Sequence, residues 1–238
     1  MKKYLSDRNE IARINTIFAM VLAMVAISYY YLINLATDLK WVMMCGYFFA
    51  TIPAFFSLLH GMVTKRCDII LLSTEFLILG VLGFVAMILH GLNVLTLYNY
   101  FFSAAYALST VFVFSFADRV AFGKRFLSKW WIAIFLIILP IGATASLYFV
   151  PENLVNVVIN VKNIIYLVIC LFALAVGAFC LIKKRDTYFS WAYSIYVFFT
   201  LVAYIFQAFY QVRWYNLFLM FAVVSIPYVI TSAVKCKE

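Results

Sequence analysis

Lysine and arginine are distributed unevenly along this 238-residue chain, and their distribution predicts how it folds. Eight apolar stretches divide the sequence, each with about the 20 residues that a helix needs to cross a bilayer. The segments before, between and after them hold 4, 1, 2, 0, 4, 1, 3, 1 and 2 basic residues, a residue at the edge of a stretch being counted with its neighbouring segment. Since basic residues are retained on the cytoplasmic side, this alternation predicts eight transmembrane helices with both termini in the cytoplasm.

The predicted fold is therefore an all-α integral membrane protein, a bundle of eight transmembrane helices that forms one domain over residues 1–238. The predicted spans are 14–36, 41–63, 68–90, 97–117, 129–150, 162–182, 187–210 and 213–234. A missed or invented span would reverse the charge alternation downstream, and no reversal occurs. Asp7 followed by Glu10 is typical of a helix N-terminus, so the first helix is expected to begin before it enters the membrane.

The composition excludes a soluble fold, because 68% of the residues are hydrophobic and only 11% are charged. A net charge of +9 would indicate nucleic-acid binding in a soluble protein. Here the basic loops explain it, and no nucleic-acid partner is expected. The loop residues are expected to lie beside the anionic lipid head groups of the inner leaflet. They are Lys65, Arg66, Arg119, Lys124, Arg125, Lys183, Lys184 and Arg185.

Glu75 is the one acidic residue well inside a predicted span. An ionised carboxylate at that depth is costly, and such residues usually face the interior of a bundle or a water-filled cavity. Ser109, Thr110 and Tyr196 are predicted at a similar depth, and His60 somewhat nearer the cytoplasm. Two interpretations stay open. In the first, Glu75 is a proton or cation site, or part of a switch, with these residues around it. In the second, it is a protonated acid that is hydrogen-bonded between helices or that reaches towards the inner surface.

A second polar group is predicted on the outer side. Four asparagines, Asn153, Asn156, Asn160 and Asn163, recur at i, i+3, i+7 and i+10, which places them on one face of a helix. This helix is expected to lie along the outer surface or to extend the sixth span outward. With Asn99 and Gln207 near the same face, these amides suit a pocket for a small neutral or zwitterionic ligand. Ordinary solvation of the outer interface is the alternative.

Several chemistries lack their residues in this sequence. His60 and His90 are predicted at opposite membrane faces, so they do not share a metal ion. No HExxH motif and no Cys/His cluster is present for zinc, and no GxSxG motif or pair of intramembrane acids for hydrolysis. No metal and no cofactor is expected, and a non-catalytic protein is favoured over a lipid-modifying membrane enzyme.

Two segments resemble parts of bacterial membrane sensors. Residues 7–15, DRNEIARIN, look like the charged segment that leads into the first span of such proteins. Residues 203–210, AYIFQAFY, are similar in general residue composition to their C-terminal spans. The layout resembles the multi-spanning input regions of diguanylate cyclases, histidine kinases and chemoreceptors. The resemblance implies a sensory module in a bacterial plasma membrane. Those proteins continue into a cytoplasmic output domain, whereas this sequence ends four residues past the eighth span, so a separate signalling partner is expected.

The sequence thus favours a sensory or small-ligand-binding module that signals to a cytoplasmic partner. A small secondary transporter of a neutral solute, proton-coupled through Glu75, is the first alternative. Transporters usually carry discontinuous helices in corresponding positions of two repeats, and no internal repeat is found here. A lipid-modifying enzyme is the second alternative.

Overall fold

The computed structural model describes residues 2–33, 39–92, 94, 152–184, 186–209 and 211–235. This part of the chain is helical, which confirms the predicted all-α class. The predicted spans at 97–117 and 129–150 lie outside the described residues. The helices are α1 Lys2–Ser6, α2 Arg8–Leu32, α3 Lys40–Thr64, α4 Cys67–Gly91, α5 Glu152–Ile182, α6 Thr187–Ala208 and α7 Val212–Lys235.

Five of these helices are long and apolar enough to cross a membrane. They are α2, α3, α4, α6 and α7, with mean hydropathies of 1.6 to 2.4 over their most apolar 18-residue stretches. The predicted span at 162–182 lies within α5. In lengths and composition these helices are those of an integral membrane protein.

The start of α2 follows from local chemistry. Asp7 has extended backbone angles, and its Oδ1 accepts a hydrogen bond from the backbone N–H of Asn9 at 2.8 Å. Glu10 lies in the first turn, where a negative charge meets the positive end of the helix dipole. The helix therefore begins six residues before the predicted span, which confirms that it starts ahead of the apolar run.

Short connections set the topology. Lys65 ends α3 in a left-handed conformation with φ 57°, and Arg66 then leads into α4. Residues 183–186 join α5 to α6, and residues 209–211 join α6 to α7. Connections this short place consecutive helices antiparallel and side by side.

The core is built around α7, which packs against α2, α3, α4 and α6. In its most apolar stretch 72% of the residues are buried, against 33–50% in the other four apolar helices. Leu219, Val223, Ile226 and Ile230 follow one face of α7 and are at most 1% exposed, whereas Tyr228 on the opposite face is 53% exposed. α7 is therefore the most buried of the five apolar helices and contacts four of the other described helices.

Glycines bring α3 and α4 into close contact. A Cβ atom at Gly83 would lie 2.6–2.9 Å from three carbons of the Tyr47 ring, and one at Gly80 would lie 2.6 Å from Cγ2 of Thr51. Helices in lipid associate through packing rather than through a difference in hydrophobicity, and small residues permit the close approach. Gly80 and Gly83 therefore set the spacing of this helix pair.

The antiparallel helices define two ends of the bundle. The end that we call the Arg66 end contains the α3–α4 and α5–α6 connections, the start of α2 and the end of α7. The opposite end, the Gln207 end, contains the α6–α7 connection and the start of α3. Most of the described basic residues lie at the Arg66 end. They are Lys2, Lys3, Arg8, Arg13, Lys65, Arg66, Lys183, Lys184 and Lys235.

Candidate functional site

Glu75 is fully buried. It lies in α4 eight residues after Cys67, about 12 Å along the helix from the Arg66 end, and its side chain is 0% exposed. Neither carboxyl oxygen has a hydrogen-bond partner within the described part of the chain. A carboxyl group with a purely structural role is normally hydrogen-bonded when buried. This one is not, which singles it out for its chemistry.

Glu75 lies near a side-chain contact between α4 and α6. The ring of Phe76 contacts the ring of Tyr196 edge-on, with centroids 5.3 Å apart. Tyr193, one turn away on the same helix, is 1% exposed and its hydroxyl has no described partner. This hydroxyl lies within electrostatic range of the Glu75 carboxyl group. A buried acid and a buried phenol thus share one boundary, each with unused hydrogen-bonding capacity.

The other residues predicted around Glu75 have different outcomes. Tyr196 lies at the same depth, in contact with the neighbouring Phe76. His60 is buried but serves another contact, because its Nδ1–H donates to the carbonyl oxygen of Leu5 in α1 at 2.6 Å. The α3–α4 packing places His60 about one helical turn nearer the Arg66 end than Glu75. Ser109 and Thr110 lie outside the described residues.

Sequence reasoning missed three buried polar residues. Tyr193 had a usable signal, since it lies three residues before Tyr196 on the same helical face. Asn15 and Ser57, both 0% exposed, join α2 to α3 through a hydrogen bond of 3.4 Å that the Asn15 amide donates to the Ser57 hydroxyl. Asn15 sits at the edge of the predicted first span, where an amide is ordinarily solvated, so the sequence offered no reason to expect its burial.

Arg66 corrects one expectation. It was expected beside lipid head groups with Lys65, which is exposed, but Arg66 is only 4% exposed. Its Nη2 lies 2.7 Å from Oδ2 of Asp68, and its Nη1 and Nη2 donate to the carbonyl oxygens of Val234 and Ala233 at 3.2 Å each. The last carbonyls of a helix lack intrahelical donors and carry the negative end of its dipole. A guanidinium group satisfies both needs at the end of α7.

Two of the predicted outer amides lie on neighbouring helices at the Gln207 end. The rings of Tyr166 in α5 and Tyr204 in α6 stack, with centroids 5.0 Å apart. Asn163 lies one turn before the first tyrosine and Gln207 one turn after the second, so both lie towards the same end. Asn163 is 3% exposed and Gln207 is half-buried. Asn163 Oδ1 and Gln207 Oε1 are buried oxygens without a described hydrogen-bond donor.

The asparagine stripe belongs to one continuous helix. α5 runs unbroken from Glu152 to Ile182, so the stripe extends the predicted sixth span and does not form a separate surface helix. Asn153 and Asn156 lie in its first turns, Asn160 is exposed, and Asn163 is buried. Asn99 lies outside the described residues. Of the two asparagines of this stripe whose exposure is described, Asn163 is the one positioned for a buried contact.

Aromatic and charged residues complete the Gln207 end. The ring of Tyr215 lies 6.2 Å from that of Tyr204. Tyr29 of α2 is 1% exposed and hydrogen-bonds through its side chain to Asn216, and the charge of Arg213 reaches it as well. Together with the amides, this end offers two hydrogen-bond acceptors, flat aromatic surfaces and one exposed cation.

A groove of about 330 Å³ between α6 and α7 offers different chemistry. Its walls are apolar except for the Ser225 hydroxyl, which already donates to the carbonyl oxygen of Ala222 at 2.6 Å. Such a groove suits a hydrocarbon chain and gives no orientation to a polar ligand. Within the described ranges no three His, Cys, Asp or Glu residues come together to hold a metal ion.

The chain was compared with known proteins at three levels. No protein-family model, no curated protein and no solved structure matches it. The function therefore has to be argued from the chemistry of the two buried polar groups.

Proposed function

We propose that this protein is a sensory membrane protein that binds a small zwitterionic ligand at the Gln207 end and signals to a cytoplasmic partner. The observation that carries the proposal is the pair of buried amide oxygens of Asn163 in α5 and Gln207 in α6, which lie towards the same end of the bundle without a described donor. A buried acceptor left unsatisfied costs about 1–3 kcal/mol. A ligand that donates hydrogen bonds to both oxygens recovers this free energy.

The neighbouring groups support a ligand of one class. The two oxygens accept hydrogen bonds from an ammonium group, and the stacked rings of Tyr166 and Tyr204 offer apolar contact to a short side chain. Arg213 is exposed at the same end and suits a carboxylate. A free amino acid combines these features. Because Asn163 is almost completely buried, its entry would part α5 from α6, and that displacement is the signal we propose.

The proposed topology places this site outside the cell. Eight spans with both termini in the cytoplasm make the Arg66 end cytoplasmic, in keeping with its concentration of basic residues. The membrane would be a bacterial plasma membrane. Fusions at the C-terminus test the orientation: green fluorescent protein is expected to fluoresce there, and alkaline phosphatase to be inactive. An active phosphatase fusion would contradict the topology.

Calorimetry tests the ligand site directly. The full-length protein in lipid nanodiscs is titrated with each of the twenty free L-amino acids, and at least one is expected to bind saturably. Asn163→Ala and Gln207→Ala are each expected to raise the Kd about tenfold, the equivalent of about 1.4 kcal/mol. Asn160→Ala, a matched change at an exposed asparagine of the same helix, is expected to bind like wild type.

Two results would reject the proposal. One is the absence of binding by all twenty amino acids. The other is an equal loss of affinity in the Asn160 and Asn163 variants, which would show that the buried oxygen does not contact the ligand.

A proton-coupled transporter is the second candidate, and the buried, unpartnered carboxyl group of Glu75 favours it. Proteoliposomes with the amino acid that binds separate the two functions. Uptake accompanied by proton flux that Glu75→Gln abolishes would identify a transporter. Binding without uptake supports the sensor. The lipid-modifying enzyme has no described group of residues in its favour.

A further inference from the structure

We propose that Glu75 and Tyr193 form a proton-binding site at the boundary of α4 and α6. Glu75 carries the proton as a neutral carboxylic acid, and the Tyr193 hydroxyl stabilises the carboxylate when the proton leaves. The site lies in the half of the bundle opposite the amide pair. It requires no ligand at the Gln207 end, so the two proposals stand or fall separately.

Burial, with no counter-ion among the described residues, keeps Glu75 neutral. Its side chain is 0% exposed and both oxygens lack a described hydrogen bond. An ionised carboxylate buried without a partner is strongly disfavoured, even after the protein relaxes. The buried guanidinium of Arg66 does not supply that partner. It is bound to Asp68 and to the end of α7, and it lies nine residues, about 14 Å, along the chain from Glu75.

The surrounding titratable groups single out Tyr193 as the partner. Tyr196 contributes its ring to Phe76. His60 donates through Nδ1 to Leu5, and its buried Nε2 has no described partner but lies about one helical turn nearer the Arg66 end than Glu75. On α7 the described stretch between Arg213 and Lys235 carries no charged residue. Among the described residues, the titratable side chains near this boundary, apart from the Arg66–Asp68 pair, are Tyr193 and Tyr196 of α6, Cys170 and Cys180 of α5, and His60 of α3. Tyr193 combines full burial, a position in electrostatic range of Glu75 and a hydroxyl without a described partner.

Water accepts the proton that Glu75 releases. The O–H bond of the Glu75 carboxylic acid breaks, and its proton passes to a water molecule admitted from the Arg66 end. The resulting carboxylate accepts a hydrogen bond from the Tyr193 hydroxyl, whose own O–H bond stays intact. Tyr193 packs against Gly177 of α5, so its movement towards Glu75 changes how α6 packs on both α4 and α5. Proton release is thereby coupled to a rearrangement of three helices.

Infrared spectroscopy of the full-length protein in lipid tests this site. At neutral pH the wild type is expected to show a protonated-carboxyl carbonyl band that is lost in Glu75→Gln. As the pH is raised, the acid band of the wild type is expected to convert to a carboxylate band. Tyr193→Phe should keep the acid band at pH values at which the wild type has converted, because it lacks the stabilising hydroxyl. Tyr196→Phe is the matched control on the same helix face and should convert like the wild type.

Three results would overturn the proposal. The first is a Glu75 carboxylate without an acid band at neutral pH. The second is an acid band that persists in the wild type until the protein unfolds. The third is a Tyr193→Phe variant that converts over the same pH range as the wild type. Circular dichroism of each variant verifies that the helices are intact, and Glu75→Gln keeps the side-chain volume so that the band can be assigned.

Discussion

Replacement of Arg66 by alanine is expected to loosen the junction between the α3–α4 turn and the end of α7. The side chain makes a 2.7 Å ion pair with Asp68 and two 3.2 Å hydrogen bonds to carbonyl oxygens of Ala233 and Val234. Alanine removes all of these bonds together. The carboxylate of Asp68 and the last carbonyls of the most buried apolar helix would then lose their common donor.

The magnitude follows from burial. Removing one partner of a buried ion pair costs about 3–5 kcal/mol. Asp68 is 14% exposed at the end of the bundle, so water solvates part of what remains, and we expect a loss of about 2–4 kcal/mol. For a chain of this size, 3 kcal/mol corresponds to a fall in Tm of about 6–12 °C. Arg66→Lys keeps the charge but loses the planar fork, and about half of the loss is expected.

Thermal unfolding in detergent, followed by circular dichroism, measures these losses. Arg13→Ala is the matched control, because Arg13 is 74% exposed and lies 4.0 Å from a 40% exposed Glu10. Such a surface pair contributes about 0.2–1 kcal/mol. If Arg66→Ala lowers the Tm no more than Arg13→Ala does, the buried bonds do not stabilise α7 and the reasoning is refuted. If Arg66→Lys is as stable as the wild type, only the expected contribution of the planar guanidinium geometry is refuted.

Three further changes test other contacts, each by thermal unfolding. Gly83→Ala forces a methyl group against the Tyr47 ring and is expected to cost about 1–3 kcal/mol. A Cβ atom at Gly91 would lie 3.7 Å from its nearest neighbour, so Gly91→Ala should be neutral or stabilising by up to about 1 kcal/mol. Equal Tm values for the Gly83 and Gly91 variants would contradict the close packing at Gly83. Asp7→Ala removes the N-cap of α2 and should cost about 1 kcal/mol, whereas Asp7→Asn keeps it; a loss in both variants would show that the cap is not the cause. Glu75→Gln should cost about 1.5 kcal/mol or less and Glu75→Lys about 4 kcal/mol or more, and similar losses would show that Glu75 is not neutral.

Hydropathy was sufficient to position most helices along the chain. α3, α4, α6 and α7 begin and end within two residues of the predicted spans, because an apolar run of this length satisfies its backbone hydrogen bonds in lipid only as a helix. α5 departs furthest, because it begins at Glu152, ten residues before the predicted span. α2 begins six residues early, since Asp7 caps it in the polar segment ahead of the apolar run. α1 has no apolar run, so the hydropathy pattern did not predict it.

The candidate sites were only partly predictable. Glu75 stood out because a carboxyl group within an apolar span is costly, and the amides of Asn163 and Gln207 because they cluster near one face. Their partners did not stand out. Tyr193 resembles any other tyrosine in an aromatic-rich span, and Arg66 resembles any basic residue in a short loop. Their roles depend on which helix packs beside them.

Run lengths and charge alternation predict the depth of each residue along the membrane normal, and the predicted depths of Glu75 and Tyr196 agree with their contacts. The rotation of each helix and its choice of neighbours come from the packed bundle. Lipid chains are as apolar as leucine, so hydropathy does not distinguish a side chain that faces lipid from one that faces another helix. The glycines at the α3–α4 contact, the buried apolar face of α7 and the hydrogen bonds from Arg66 to the last carbonyl oxygens of α7 determine which side chains face another helix. In the packed bundle Glu75 is buried within electrostatic range of Tyr193, and His60 hydrogen-bonds to Leu5 of α1.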